Sequence, residues 1–128
     1  MANNPSFAVT PRIGIANLTT ADSGYTTVTN FQTLLVGASS GTRVAEVVVK
    51  SAQATNSAAV VRLFAFDGTT NALVDEYAMA SLSGSSTAVS QRVSTLYNNL
   101  VLPSTAWSLR VTSSITHPFT VTALGADL

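Results

Sequence analysis

Short runs of alternating apolar and polar residues are the feature that most limits what this chain can fold into. In residues 106–113 the apolar side chains of Trp107, Leu109 and Val111 alternate with polar ones, and residues 119–124 repeat the pattern. A period of two is typical of a strand with one buried face. No stretch keeps the spacing of an amphipathic helix. The pattern predicts an all-β protein with these residues in the core and Trp107 at its centre.

Eight strand candidates follow one another at intervals of roughly 8–12 residues, with Gly, Ser and Asn between them. A chain of 128 residues with this spacing is expected to form one domain, an all-β sandwich for which a jelly roll is one arrangement. We predict an N-terminal arm of residues 1–12 and a β-sandwich domain of residues 13–128. The candidate strands are residues 7–15, 25–36, 43–52, 58–66, 72–80, 88–97, 106–113 and 119–124.

Charge is scarce in this sequence. Charged residues make up 9% of the chain, six basic and six acidic, whereas about 25% is usual. The absence of a basic stripe argues against direct nucleic-acid binding. There is no cysteine, no apparent secretory signal and no apolar run long enough for a membrane helix, so we expect synthesis in the cytoplasm. A near-neutral, hydroxyl-rich surface indicates contact with partner proteins, although hydroxyl groups can also solvate a solitary domain.

One acidic cluster raises the question of a metal or catalytic site. Asp67, Asp75 and Glu76 lie close together in the sequence, with Asn71 between them. Asp67 and Gly68 form an Asp-Gly pair after a strand, a strong signal for a hairpin turn. The spacing does not fit a calcium loop of the EF-hand type. The hairpin is the favoured interpretation, and a weak calcium site using Asp67 and Asn71 is the alternative.

The sequence contains no motif that predicts an enzyme. His117 is the only histidine, and its position before Pro118 between two strands favours a turn over a catalytic triad. We therefore predict no catalytic, cofactor-binding or metal-binding residues, no cofactor and no enzymatic activity. Sugar binding is an alternative, since β-sandwich lectins stack sugars on exposed aromatic rings. The aromatic candidates include Tyr25, Tyr77, Tyr97 and Trp107.

Two strands carry apolar residues on both faces. In residues 58–66, Val61, Leu63 and Ala65 are expected to face inward, which leaves the other face also apolar. In residues 43–52, Val44 and Val48 are expected to share a face with Glu46 and Lys50. A second apolar face needs a cover, either a loop of the same chain or another subunit. The candidate protein-interface residues are Asn3, Asn4, Pro5 and Phe7 in the arm and Val60, Arg62, Phe64 and Phe66 in the strand.

Three parts of the sequence resemble small virion structural proteins of tailed bacteriophages and prophages. They are "TPRIGIANL", "GTRVAEVVVKSAQATNSAAVVRLFAFDGT" and the C-terminal "LVLPSTAWSLRVTSS" with "FTVTALGADL". The resemblance implies a capsid decoration (cement) protein on the capsid surface, with a tail, collar or baseplate subunit as the alternative. The implied partners are the major capsid protein and copies of the chain itself, as a dimer or trimer.

Overall fold

The computed structural model describes residues 10–128, whose regular structure consists of eight β-strands. None of these residues lies in a helix long and apolar enough to cross a membrane. The strands are β1 (Thr10–Leu18), β2 (Gln32–Val36), β3 (Thr42–Ser51), β4 (Ala59–Phe66), β5 (Asn71–Met79), β6 (Arg92–Leu102), β7 (Ser108–Ser113) and β8 (Phe119–Asp127).

The strands form two antiparallel sheets that pack face to face. Sheet I has the order β1-β8-β3-β6, and sheet II has the order β2-β7-β4-β5. Only β4 and β5 follow each other within one sheet, whereas every other connection passes from one sheet to the other. This topology is an eight-stranded jelly roll. The prediction of a single-domain, all-β sandwich is confirmed.

The core lies between the inner faces of the two sheets. Leu109 and Val111 of β7 are fully buried, as the alternating pattern predicts. Trp107, expected at the centre, is instead half-buried at the margin of the core. It precedes β7 in a turn closed by a hydrogen bond from its backbone N–H to the Ser104 carbonyl oxygen. The turn holds the indole outside the strand ladder, so the sequence prediction is wrong for this residue.

A β-bulge in β3 changes which residues face the core. The register of β3 against β8 shifts between Val44 and Glu46, so that Ala45 is the extra residue. The register against β6 is irregular at the same place, where residues 97–99 of β6 stand opposite Ala45. Val44 therefore points inward, while Glu46 and Val48 lie on the outer face of sheet I. The prediction that Val44 shares a face with Glu46 is wrong, because strict alternation does not hold across a bulge.

The first strand begins inside the segment predicted as an arm. Thr10 pairs with Asp127 of β8, and Arg12 donates to the Asp127 carboxylate at 2.8 Å. Residues 10–12, predicted as part of the arm, thus belong to the sandwich. Residues 1–9 lie outside the described part of the chain, together with the candidate interface residues Asn3, Asn4, Pro5 and Phe7.

The second strand is shorter than the sequence predicts. Of residues 25–36, only Gln32–Val36 pair with β7, and the preceding residues belong to a loop. We call residues 19–31 the β1–β2 loop. Its path over sheet II decides which surfaces of the molecule remain open.

Candidate functional site

The β1–β2 loop lies on the outer face of sheet II and is held there by one carboxylate. Asp22 accepts hydrogen bonds from the backbone N–H groups of Gly24, Thr29 and Asn30 at 2.7–2.9 Å. Its own N–H donates to the Ser113 carbonyl oxygen of β7 at 2.7 Å. Partial burial would raise the pKa of Asp22, but the backbone donors outweigh it and hold that pKa below its ordinary value. The loop is thereby tied both to itself and to the sheet.

Arg62 of β4 is buried beneath this loop. Its guanidinium carbon lies 4.2 Å from the centroid of the Tyr25 ring, and its Nη2 donates to the Tyr25 hydroxyl at 3.0 Å. On the other side its Nε donates to the Glu76 carboxylate of β5 at 2.9 Å. The charge of Arg62 is therefore already compensated inside the chain.

Arg110 of β7 is stacked between two aromatic rings. Its guanidinium carbon lies 3.9 Å from the centroid of Phe31, in the loop, and 3.4 Å from that of Phe66, in β4. Nη1 donates to the Asn71 side chain, whereas Nε has no hydrogen-bond acceptor within residues 10–128. Cation–π contact with the two rings helps to offset the cost of that unpaired donor. Burial lowers the pKa of Arg110.

These contacts answer the question of what covers β4. Phe64 and Arg62 are buried by the chain itself, and Val60 and Phe66 are half-buried. Of the two covers that the sequence left open, the structure shows a loop of the same chain. Arg62 and Phe64 are buried in this structure, and a protein interface that includes them stays a prediction.

The acidic cluster is a hairpin, as the sequence predicts. Asp67 accepts hydrogen bonds from the backbone N–H groups of Thr69 and Thr70 at 2.8 and 2.7 Å. These bonds, chiefly the one from Thr70, hold the pKa of Asp67 below its usual value. Gly68 provides the positive φ of 100° that the turn requires. The neighbouring carboxylates diverge, since successive strand residues point to opposite faces. Within residues 10–128, no group of three or more acidic, His or Cys side chains could hold a metal ion.

The inward-pointing carboxylate of this hairpin belongs to a short hydrogen-bonded chain. Tyr97 of β6 donates to the Asp75 carboxylate at 2.6 Å, and its hydroxyl also contacts that of Tyr77 in β5. Burial raises the pKa of both phenols, and donation to Asp75 raises that of Tyr97 further. Two of the aromatic rings considered for sugar stacking are thus engaged between the sheets.

His117 is a structural residue by its contacts. Its Nε2 lies 2.8 Å from the Ser51 hydroxyl, and its ring packs on Phe119 at 4.6 Å between centroids. The Ser51 hydroxyl donates to the Gln53 carbonyl oxygen, so His117 acts as the donor toward Ser51. This direction is opposite to the one in which a histidine base activates a serine nucleophile.

The outer face of sheet I presents apolar side chains to solvent. Ile13 and Ile15 of β1 are 60% and 58% exposed, Leu124 of β8 is 38% exposed, and Leu96 of β6 is 78% exposed. Sequence reasoning missed this face, because it expects the larger residues of a strand to point inward. In β1 the inward residues include Gly14, where a Cβ atom would lie 2.1 Å from the Leu34 carbonyl oxygen. The close crossing of β2 therefore requires the glycine inside and turns the isoleucines outward.

A small polar cleft of about 180 Å³ lies at the base of the β1–β2 loop. Threonine hydroxyls and two amides dominate its wall, and the Phe31 ring at its side is already stacked on Arg110. The lining residues are Leu18, Thr19, Thr20, Thr29, Asn30, Phe31 and Gln32.

No protein-family model matches this chain, and no curated protein matches it. Three similar solved structures are particles of infectious bursal disease virus: a T13 particle (14% identity, TM-score 0.35), the Gx strain (14%, 0.32) and the Gt strain (16%, 0.31). These matches cover 99%, 99% and 100% of this chain but only 35%, 36% and 40% of the viral chains. This chain thus spans little more than a third of their length. The identities and TM-scores are low, and the function proposed below rests on this chain's own residues.

Proposed function

We propose that this chain is a non-enzymatic structural protein of a bacteriophage virion, a decoration protein that binds the capsid surface and bridges neighbouring major capsid subunits. The observation that carries the proposal is an eight-stranded jelly roll that leaves an apolar sheet face exposed. The resemblance of its sequence segments to phage virion proteins supports the same function.

The physical properties of the surface suit a protein that attaches at many equivalent positions. Charged residues make up 9% of the chain and the formal net charge is zero, so attachment would depend on shape complementarity and apolar contact. A decoration protein that bridges two subunits needs only moderate affinity at each contact. Once the first contact forms, the second becomes effectively intramolecular.

Capsid binding by the N-terminal segment can be tested by deletion. Residues 2–9 can be removed without shortening β1, which begins at Thr10. We expect the deletion to reduce co-sedimentation with phage capsids, and the matched control replaces the same residues with an equally long Gly-Ser sequence. If neither the deletion nor the replacement reduces the amount of chain bound to capsids, this segment is excluded as the capsid contact. Failure of the full chain to sediment with capsids would overturn the decoration role, and labelling of tails would favour a tail, collar or baseplate subunit.

The polar cleft favours carbohydrate binding as a second candidate function. Its hydroxyl and amide groups are of the kind that hydrogen-bond to sugar hydroxyls, and its volume of about 180 Å³ is small. A glycan array with the purified protein tests this candidate. Specific binding that Asn30→Ala and Gln32→Ala abolish would support a carbohydrate-binding module, and an array without specific binding would reject it.

A further inference from the structure

We propose that the outer face of sheet I is a self-association surface, on which a second copy of this chain packs face to face. The outer faces of the two sheets differ: the β1–β2 loop lies over β4 and β7 of sheet II, whereas Ile13, Ile15, Leu96 and Leu124 of sheet I remain exposed. A contiguous apolar patch with a polar rim marks an interaction site. This inference does not depend on the proposed virion function.

The exposed side chains form ordered rows across the four strands. Register places Leu124 beside Ile13 on one side and Glu46 on the other, with Leu96 beyond Glu46. The next row along the strands is mixed and contains Ile15, Thr122, Val48 and Ser94. The row after that is polar and consists of Asn17, Thr120, Lys50 and Arg92. The face thus has an apolar end that contains one carboxylate and a polar end that contains two cations.

The charges on this face point to a second copy as the occupant. Glu46 is half-buried between two leucines and has no hydrogen bond or ion pair within residues 10–128. Arg92 is exposed and equally unpaired there, whereas Lys50 already donates to Ser90. A two-fold axis that crosses the strands at Val48 places Glu46 of each copy opposite the Lys50–Arg92 row of the other. The same surface supplies both halves of this complementarity, as a symmetric dimer requires.

The two-fold axis also brings the apolar residues of the middle row together. Ile15 and Val48 would each face their own equivalents in the second copy. One four-stranded face is at the small end of the area range of stable interfaces, so we expect a reversible dimer.

Analytical ultracentrifugation over a range of protein concentrations tests the dimer. Leu124→Gln should weaken it about tenfold or more, because the Leu124 side chain, which would lie opposite Thr120 of the other copy, is removed from water twice in a symmetric interface. The matched control is Leu73→Gln in β5 of sheet II, since Leu73 is 39% exposed and Leu124 is 38% exposed. Thermal unfolding of both variants shows whether each one folds.

Charge exchange tests the geometry independently. Glu46→Arg and Arg92→Glu should each weaken dimerisation, and the double variant should restore it. Within one chain these positions are about 13 Å apart along the strands, so restored dimerisation in the double variant reports a contact between copies.

A chain that stays monomeric at every concentration would overturn the proposal, and so would equal effects of the Leu124 and Leu73 variants. If the unaltered chain is monomeric and Leu124→Gln still abolishes capsid binding, the face belongs to an interface with another protein instead.

Discussion

Individual polar side chains in this molecule stabilise the fold through hydrogen bonds between its strands. Tyr97 links the two sheets at their open edge, since it donates to Asp75 of β5 while it is itself part of β6. Tyr77 extends the link with its own buried hydroxyl. A buried hydroxyl without a partner costs free energy, and these contacts satisfy both hydroxyls.

The tyrosine pair predicts a loss of stability at high pH. Folding raises the pKa of Tyr77 and Tyr97 above the ordinary value of 10.0, so the folded state holds these protons more tightly than the unfolded state. Their contribution is complete below about pH 10 and is lost as the pH rises further. Denaturant unfolding at increasing pH should show this fall, with a smaller fall in Tyr97→Phe. Phenolate absorbance from all three tyrosines before unfolding would contradict it.

Arg110 shows how a cation can be accommodated on a nearly uncharged surface. Its planar guanidinium fits between the rings of Phe31 and Phe66, an arrangement that a lysine ammonium group cannot reproduce. The contact joins the β1–β2 loop to two strands of sheet II. A substitution that keeps the positive charge but not the planar shape would therefore not preserve this contact.

We predict that Arg110→Lys lowers the free energy of unfolding by about 1–2 kcal/mol, because ring stacking on both sides is lost. Chemical denaturation measures the change. Arg43→Lys is the matched control, since Arg43 is exposed in β3 and should tolerate the exchange. Equal effects of the two substitutions would show that the stack contributes no more than surface charge.

At the scale of elements, the β1–β2 loop behaves as a third layer over sheet II. It contributes Tyr25 and Phe31 to the two arginine contacts, and Asp22 fixes its conformation. The loop therefore covers Arg62 and Arg110 on the outer face of sheet II.

We predict that Asp22→Ala loosens this loop, because three backbone N–H groups lose their acceptor. Chymotrypsin should then cleave at Tyr25 several-fold faster than in the native chain. Asp67→Ala is the control, since Asp67 caps backbone groups in the β4–β5 turn and not in this loop. Equal cleavage in both variants would refute the role of Asp22. In the native chain, cleavage by pepsin, which is active in acid, should rise as the pH falls through the lowered pKa of Asp22, below 3.8.

The whole molecule combines a formal net charge of zero with an exposed apolar face. Its isoelectric point is about 6.5, so charge repulsion between copies is weakest near neutral pH. Proteins under these conditions tend to associate. Self-association is therefore favoured by the global charge as well as by the residues of sheet I.

We predict a solubility minimum near pH 6.5, with higher solubility on both sides as net charge of either sign accumulates. Precipitation by polyethylene glycol across a pH series measures this. Raising the salt concentration should reduce the contrast, because screening removes the repulsion away from the minimum. A solubility that does not vary with pH would show that hydroxyl groups alone keep the chain in solution.

The sequence was sufficient for the fold class, the number of strands and the β4–β5 hairpin. These features depend on local chemistry: alternation within a strand, and an Asp-Gly pair that closes a turn by its own hydrogen bonds. The inward faces of β7 and β8 were predicted for the same reason. The composition likewise gave the formal net charge of zero and the small number of charged residues.

Only the tertiary structure decided which apolar faces are open. The bulge at Ala45 reverses the pattern of β3, and the close crossing at Gly14 turns Ile13 and Ile15 outward. The β1–β2 loop covers Arg62, although nothing in the sequence of that loop specifies its destination. Each of these outcomes depends on contacts between residues far apart in the chain, whereas alternation within one strand reports only which residues share a side and not what lies against it.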